Sequence, residues 1–442
     1  MSHRRPGGSG GGARTLGALG LMAAMVPVNL ALTATAALRG ARRASAPPRP
    51  GPRRTVMVSG GKMTKALQLA RSFHDAGHRV VLVETARYRF TGHRFSRAVD
   101  AFHVVPDPTD SGYAQALLDI VRAEDVDVYV PVCSPVASYF DAQAKEILSP
   151  HCEVIHADPG LLAGLDDKHQ FAAMAAAAGL SVPDTHRVTS ADEVLAFDFS
   201  RSARPYILKS IAYDPVERLD LTPLPRPTPE ETHRFALQKP ISEENPWVLQ
   251  EFIPGTEYCT HSTVRGGRVQ VYCCCESSPF QLNYAMVDKP RIEDWVTRFC
   301  LPLDLTGQVS FDFIEADDGA LYAIECNPRT HSAITLFHDH PDLARAYLED
   351  GVPVIRPRPG SRPTYWLYHE LWRLVSAPRD ARERLSIVLR GTDAILDPSD
   401  PLPFLMAHAL HLPALLIGNL RRRAAWVRID FNIGKLVEPA GD

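Results

Sequence analysis

The sequence carries no surplus of positive charge. Over 442 residues, 48 Lys and Arg stand against 51 Asp and Glu, for a net charge of −3 with His neutral. Binding a nucleic acid backbone needs a concentrated cationic face, so the balance argues against nucleic acid as a partner. Paired cysteine ligands are missing too: none of the eight cysteines stands at CxxC spacing from another. Cys273, Cys274 and Cys275 are consecutive, and alternate residues of a strand point to opposite faces, so the triplet cannot converge on one metal ion. A reduced, cytosolic setting is the simpler reading for the folded part. A dinucleotide fingerprint is also absent. Gly60-Gly61 lacks its spacing and reads at least as well as a βα turn shaping a substrate pocket.

What is present divides into four stretches. Residues 6–12, mostly Gly, Pro and Ser, read as disordered. Thr15 to Leu38 then runs 24 residues without a charge, enough for a helix across about 30 Å of hydrocarbon. Arg4, Arg5 and Arg14 precede it; Arg39, Arg42, Arg43, Arg49, Arg53 and Arg54 follow. The heavier C-terminal flank would hold the body of the chain in the cytoplasm, with 15–38 as a membrane anchor. A cleaved signal peptide, or an apolar arm folded onto the body, are the alternatives, and Pro27 and Asn29 weigh against a spanning helix. Residues 1–54 thus form an N-terminal region that ends in a linker from Pro47 to Pro52.

Order begins at Thr55. TVMVS reads as a buried strand, Gly60-Gly61 as a turn, and Lys62 to Ala76 as a helix with Ala66, Leu67, Ala70 and Phe73 inward. RVVLVET, a helix over 113–123 and VDVYVPV (126–132) continue the alternation, so residues 55–160 read as a parallel-sheet α/β domain. From 161 to 340 the texture changes. Asp166 to Gly179 reads as a helix, PYILKS (205–210) as a strand, and 214–230 as a mobile loop. WVLQEF, EYCTHSTV and RVQVYCCC then suggest antiparallel strands with a hairpin at Gly266-Gly267. QVSFDFIEA and ALYAIECN suggest a second hairpin around Asp318-Gly319. Residues 341–442 form a C-terminal region in which Pro401 to Leu420 reads as an interfacial helix or a packed strut.

The second hairpin carries the most informative cluster. Asp312 lies in one strand, and Glu325 and Asn327 lie two apart in the other, hence on one face. Three hard oxygen donors on a sheet face suit Mg²⁺, which takes one or two carboxylates and completes its shell with water and phosphate. Charged groups inside apolar strands are costly without a compensating cation. Lys209 ends an apolar strand, where its cation can enter a cleft, and Lys168 starts a helix. In VLQEFIPGTEY, Gln250 and the backbone at Phe252 and Ile253 can meet a purine edge, while Glu257 suits ribose hydroxyls.

The order Lys168, Lys209, the hinge at 250–257, Asp312, then Glu325-x-Asn327-Pro328-Arg329 resembles the ATP-grasp superfamily over about residues 160–335. The resemblance implies an α/β and α+β chain: an ATP-grasp fold after a small parallel-sheet domain, with an N-terminal hydrophobic segment in front. It implies that Lys168 and Lys209 bind the α- and β-phosphates of ATP, that Gln250, Phe252 and Ile253 read adenine, and that Glu257 binds ribose. Asp312, Glu325 and Asn327 would hold two Mg²⁺, and Arg329 would contact the transferred phosphoryl group or the substrate. GKMTKALQLARSFHDAGHRVVLVE, GHRFSRAVD, VPVCSPVASYFDA, ECNPRTHSA and WVRIDFNIGKLVE further resemble the mycosporine-glycine synthase family of ATP-grasp ligases. That resemblance implies glycine and 4-deoxygadusol as substrates, and His331 and Ser332 are candidates for glycine's carboxylate. The shared motifs equally fit another ATP-grasp ligase that makes an acyl phosphate from a true carboxylate, or a membrane-tethered nucleotide-binding protein without catalysis.

Overall fold

The computed structural model describes residues 10–41, 51–132, 134–212, 217, 220–277 and 282–438. The first part of the expected linker (47–50), part of the expected disordered start (6–9) and most of 213–219 in the expected loop lie outside the described residues. The uncharged run forms one long helix, α1 (Gly10–Gly40), which contains Pro27. It lies along the body of the protein: Ala18, Leu19 and Met22 pack on one apolar cluster and Leu32 on another. The contacts of the folded-arm alternative are therefore present.

Strands β1 (Thr55–Val58), β2 (Arg79–Thr85), β3 (Ala101–Val105), β4 (Val128–Val130) and β5 (Glu153–Val154) form a parallel sheet in the order β3-β2-β1-β4-β5. The expected inward face of α2 (Thr64–Asp75) is buried, with Ala66, Leu67, Ala70 and Phe73 shielded from solvent. Helices α3 (Tyr113–Ala123) and α4 (Pro135–Leu148) pack against each other. At the end of β1 the chain turns through Gly60, φ +66°, where a Cβ would lie 1.7 Å from the Val132 carbonyl oxygen. Only glycine fits a turn this close to the neighbouring loop. The strand order reverses between β1 and β4, so this turn lies at the carboxyl-end crevice where such sheets receive ligands.

The helix expected over 166–179 is α6 (Lys168–Ala177), and a separate short helix that the sequence pattern does not single out, α5 (Pro159–Asp166), precedes it. Asp167 separates them because its carboxylate accepts from the His169 and Gln170 N–H groups at 2.8 and 3.0 Å. An Asp at that position caps a new helix more strongly than it continues an old one. Beyond α6, β6 (Thr185–Val188), β7 (Tyr206–Ser210) and β8 (Trp247–Glu251) form an antiparallel sheet ordered β6-β8-β7. Strands β9 (Gly255–Arg265) and β10 (Arg268–Glu276) form the first expected hairpin. After the short β11 (Asn283–Tyr284), β12 (Gly307–Ala316) and β13 (Leu321–Asn327) form the second. Together they make a sheet ordered β10-β9-β12-β13.

That sheet is covered on both sides. Cys273 and Cys275 face the core shared with α2, whereas Cys274 faces the cluster around Trp295 and Phe299. The cysteine triplet therefore splits between two faces, as its alternation requires. All seven described cysteines are free thiols. In the C-terminal region Leu402–Arg422 is a continuous helical run, with a π-helical turn at Ala407–His411. Phe404, His408, His411, Leu412 and Leu416 are buried, so the segment is a strut packed into the body. Gathering 402–438 here also brings Asn432 to the β1–α2 turn, where its carbonyl accepts from the Thr64 N–H at 2.9 Å.

Candidate active site

The junction of the two antiparallel sheets gathers the charged residues that the motifs single out. Asp312 and Glu325 are direct partners across the β12–β13 pairing, and Asp312 also faces Cys259 of β9. Asn327 Nδ2 donates to Asp312 Oδ2 at 3.2 Å and to Glu325 Oε1 at 3.1 Å. Lys168, at the first position of α6, reaches Glu325 with Nζ 3.6 Å from Oε2. Lys209, from β7, adds a second cation within electrostatic range of Glu325, Glu257 and Asp312.

The two carboxyls of this pair are driven apart. Burial raises the Asp312 pKa well above the usual range, and the facing Glu325 charge adds to it. Burial acts in the same direction on Glu325, but Lys168 and Lys209 outweigh it and hold that carboxyl down at about 2. Burial also depresses the Lys209 pKa, against the pull of the carboxylates. Like charges at one site cannot all ionise cheaply, so the pair divides: Asp312 favours its protonated form while Glu325 stays ionised beside the lysines.

Arg329 donates through Nη2 to Asn327 Oδ1 and through Nη1 to Asp166 Oδ1 at 3.2 Å. It is thereby fixed between the end of α5 and the carboxylate pair. The Asn327 amide consequently turns its NH2 group toward the carboxylates and its oxygen toward Arg329. Metal coordination through Oδ1 requires that amide to rotate. Among the described residues no cluster of three or more His, Cys, Asp or Glu is placed to hold a metal. The site instead offers two carboxylates and an amide, a donor set of oxygens that fits Mg²⁺ and not a soft transition metal.

The hinge residues occupy the junction of the two sheets. Gln250 is buried, and its amide NH2 donates to Thr185 Oγ1 and to the Ile324 carbonyl, each at 3.3 Å. The Phe252 N–H is taken by the Pro205 carbonyl at 2.8 Å, so that group is not free to meet a base. Ile253 is buried immediately beyond. Glu257 accepts from Ser277 Oγ at 2.9 Å at the start of β9.

Several contributing residues carry no motif of their own. Asp166 positions Arg329, and its only sequence signal is the Asp-Asp pair ahead of α6. Gln308 accepts from Thr330 Oγ1 at 2.6 Å and from the Tyr347 hydroxyl at 2.7 Å, while Lys65 Nζ donates to the Thr330 carbonyl at 2.6 Å. These bonds lock the turn that follows Arg329 to the N-terminal domain. Asn432 Nδ2 donates to Ser332 Oγ at 2.7 Å. His331 takes the Ala333 N–H on Nδ1 and meets the Tyr284 ring edge-on, with centroids 5.3 Å apart. A separate open cavity of about 480 Å³ beside Ser181, Trp295 and Tyr322 contains none of these groups.

Solved structures share this architecture. N5-carboxyaminoimidazole synthetase from Staphylococcus aureus, complexed with ADP, superposes with a TM-score of 0.51 over 70% of this chain and 80% of its own, at 17% identity. An ADP complex of N5-carboxyaminoimidazole ribonucleotide synthetase matches with a TM-score of 0.53 over 75% and 87% of the two chains, at 15% identity. The chain has the ATP-grasp fold. A biotin carboxylase domain of a single-chain bacterial carboxylase also matches, with a TM-score of 0.52, 15% identity and coverage of 69% and 71%. No family model matches the sequence, and no curated protein matches it. At these identities the likeness concerns the fold, and chemistry has to be argued from the site.

Proposed function

We propose that this protein is an ATP-dependent carbon–nitrogen ligase that phosphorylates the enolic oxygen of 4-deoxygadusol and displaces the phosphate with glycine, giving mycosporine-glycine. The observation that carries the ligase reading is the convergence of Lys168 and Lys209 on the facing carboxylates Asp312 and Glu325. Two cations beside two acids suit a polyphosphate chelated to metal, and the fold neighbours include complexes with ADP. The choice of acceptor and amine rests on the sequence resemblance to mycosporine-glycine synthases.

In this reading Lys168 and Lys209 hold the α- and β-phosphates. Gln250 lines the adenine end with the backbone around Phe252 and Ile253, the Phe252 N–H excepted, and Glu257 meets the ribose. Asp312 and Glu325, with Asn327 once its amide turns, would hold Mg²⁺, two ions in the fullest version. Bound there, Mg²⁺ supplies positive charge against the phosphate oxygens. Arg329, held by Asp166, would stabilise charge on the phosphoryl group in transit.

A vinylogous acid is a carboxylate with a C=C inserted, and its enolate oxygen is a poor leaving group. Its attack on the terminal phosphorus releases ADP and converts that oxygen into part of a good leaving group. The glycine amine then adds at the activated ring carbon, phosphate leaves with the ring oxygen, and the nitrogen loses a proton to give the enaminone. The body of the chain would work in the cytoplasm, attached to a membrane through 15–38.

The protein supplied with ATP, Mg²⁺, 4-deoxygadusol and glycine should release ADP and phosphate together with a product absorbing at longer wavelength. Nitrogen is a stronger lone-pair donor into the conjugated carbonyl than oxygen, hence the shift. Inactivity with this acceptor, alongside turnover of a simple carboxylic acid, would assign the chain to acyl-phosphate ligases instead.

A further inference from the structure

Helix α1 is fixed to the body at both ends and in the middle. Near its start the Arg14 guanidinium donates to the carbonyls of Trp426 and Val427 at 3.1 and 2.6 Å, and the Trp426 indole donates to Thr15 Oγ1 at 3.0 Å. At its midpoint the Tyr368 hydroxyl donates to the buried Asn29 Oδ1. At its end Gly40 approaches so closely that a Cβ there would lie 1.9 Å from the Pro398 carbonyl oxygen. Thr15, Met22, Asn29, Ala36 and Gly40 thus form one docked stripe at helical spacing.

The rest of its circumference, a wide arc away from that stripe, is apolar and open. Leu16 and Leu21 are 58% and 66% exposed, and Leu30 and Leu38 are 50% and 66% exposed. No charged residue falls between Arg14 and Arg39. Exposed apolar residues also lie on the helix Leu367–Ser376, which meets α1 through Tyr368: Trp372 and Val375 stand at i+4 and i+7 from Tyr368 and share its face. They are 68% and 78% exposed. The same helical pair, 367–390, carries Arg373, Arg379, Arg382, Arg384 and Arg390 against Glu370, Asp380 and Glu383, five positive charges to three negative, and Arg39 ends the apolar run of α1.

Three points of attachment decide the orientation. A helix standing across about 30 Å of hydrocarbon would put Asn29 near the midplane. Tyr368 would go with it, and so would Glu370 and Arg373 within two turns of it, at a large cost for charges in lipid. Lying flat avoids this, since the leucine face enters the acyl boundary while the arginines stay with the headgroups. We propose that α1 lies in the plane of an anionic lipid surface, with its Leu16–Leu38 face and Trp372 making the contact. This rests on the membrane attachment in the proposed function and specifies its geometry. The arginines on the 367–390 pair select anionic over neutral headgroups.

The test uses the full chain and phosphatidylcholine vesicles with and without phosphatidylglycerol. Binding should require the anionic lipid, and Leu21→Glu or Leu30→Glu should weaken it about tenfold or more while ligase turnover in solution stays unchanged. Fluorophores on Leu16→Cys, Val28→Cys and Leu38→Cys should then be quenched by lipids with shallow quenchers to a similar degree, since the described native cysteines are buried. Deep quenching at position 28 with shallow quenching at 16 and 38 would overturn the flat orientation and leave membrane attachment standing. Equal binding to neutral vesicles would overturn the anionic selectivity. No binding to either vesicle would overturn both, and a dimer lost in Leu21→Glu would then identify the face as a contact between copies of this chain.

Discussion

Asn327 lies between Asp312 and Glu325 and donates one amide group to both, at 3.2 and 3.1 Å. An amide bridging two carboxylates makes a poor substitute for a cation, and it is Arg329 that keeps the amide in that orientation. This relationship links the proposed metal site to the residue proposed to meet the phosphoryl group.

Replacing Glu325 by Gln should lower turnover by roughly 100- to 1,000-fold at saturating Mg-ATP, since a neutral amide stabilises the cation and the charge in transit far less. The fold should survive, because Asn327 keeps its bond to Asp312. Steady-state rates beside a thermal melt check this, and near-wild-type turnover would remove Glu325 from the site.

Arg329→Lys should also fail, by about tenfold or more, although charge is conserved. A lysine is a point charge and cannot bond Asp166 and Asn327 at once in the planar geometry of a guanidinium. The loss should fall mainly on kcat, with the affinity for ADP by calorimetry close to that of the wild type. Weakened ADP binding would make Arg329 part of the nucleotide site instead.

Stability should fall on acidification below about pH 6.5. Burial lowers the pKa of His93 to about 3, of His411 to about 3 and of His408 to about 4. The unfolded chain therefore binds more protons than the folded one between those values and 6.5. The stabilisation is complete above that window and is lost as pH falls through it, by up to about 1.4 kcal/mol per unit for each histidine. Melting temperatures from pH 8 to 4 should be level at first and then fall, with a shallower fall in His411→Gln. A profile level down to pH 4 would refute the neutral, buried state of these rings.

Oxygen-18 at the displaced ring position of 4-deoxygadusol should emerge in phosphate, as read by mass spectrometry. Retention of the label in the organic product would rule out phosphorylation of that oxygen before amine addition.

Much of this was legible in the sequence because it depends on short-range rules. Period-2 alternation and turn glycines gave both hairpins, and two-residue spacing put Glu325 and Asn327 on one face. The chain order of Lys168, Lys209, Asp312 and Glu325 pointed to the ATP-grasp fold. The helix beginning at Lys168 was legible for the same reason, since Asp167 is an N-cap ahead of an alanine-rich run.

What the sequence alone determined is therefore the set of elements and the identity of the charged groups. Tertiary structure decided which groups meet. Asp166 reaches Arg329 across 163 positions and Asn432 reaches Ser332 across 100, contacts that no local periodicity encodes. It decided the placement of the apolar helix as well, since composition makes α1 long and greasy enough to cross a bilayer. Only the packed body, through Trp426, Tyr368 and Pro398, supplies the contacts that hold it alongside. Propensity and hydropathy act over a few turns of chain, whereas the partners that fix orientation come from segments hundreds of residues away.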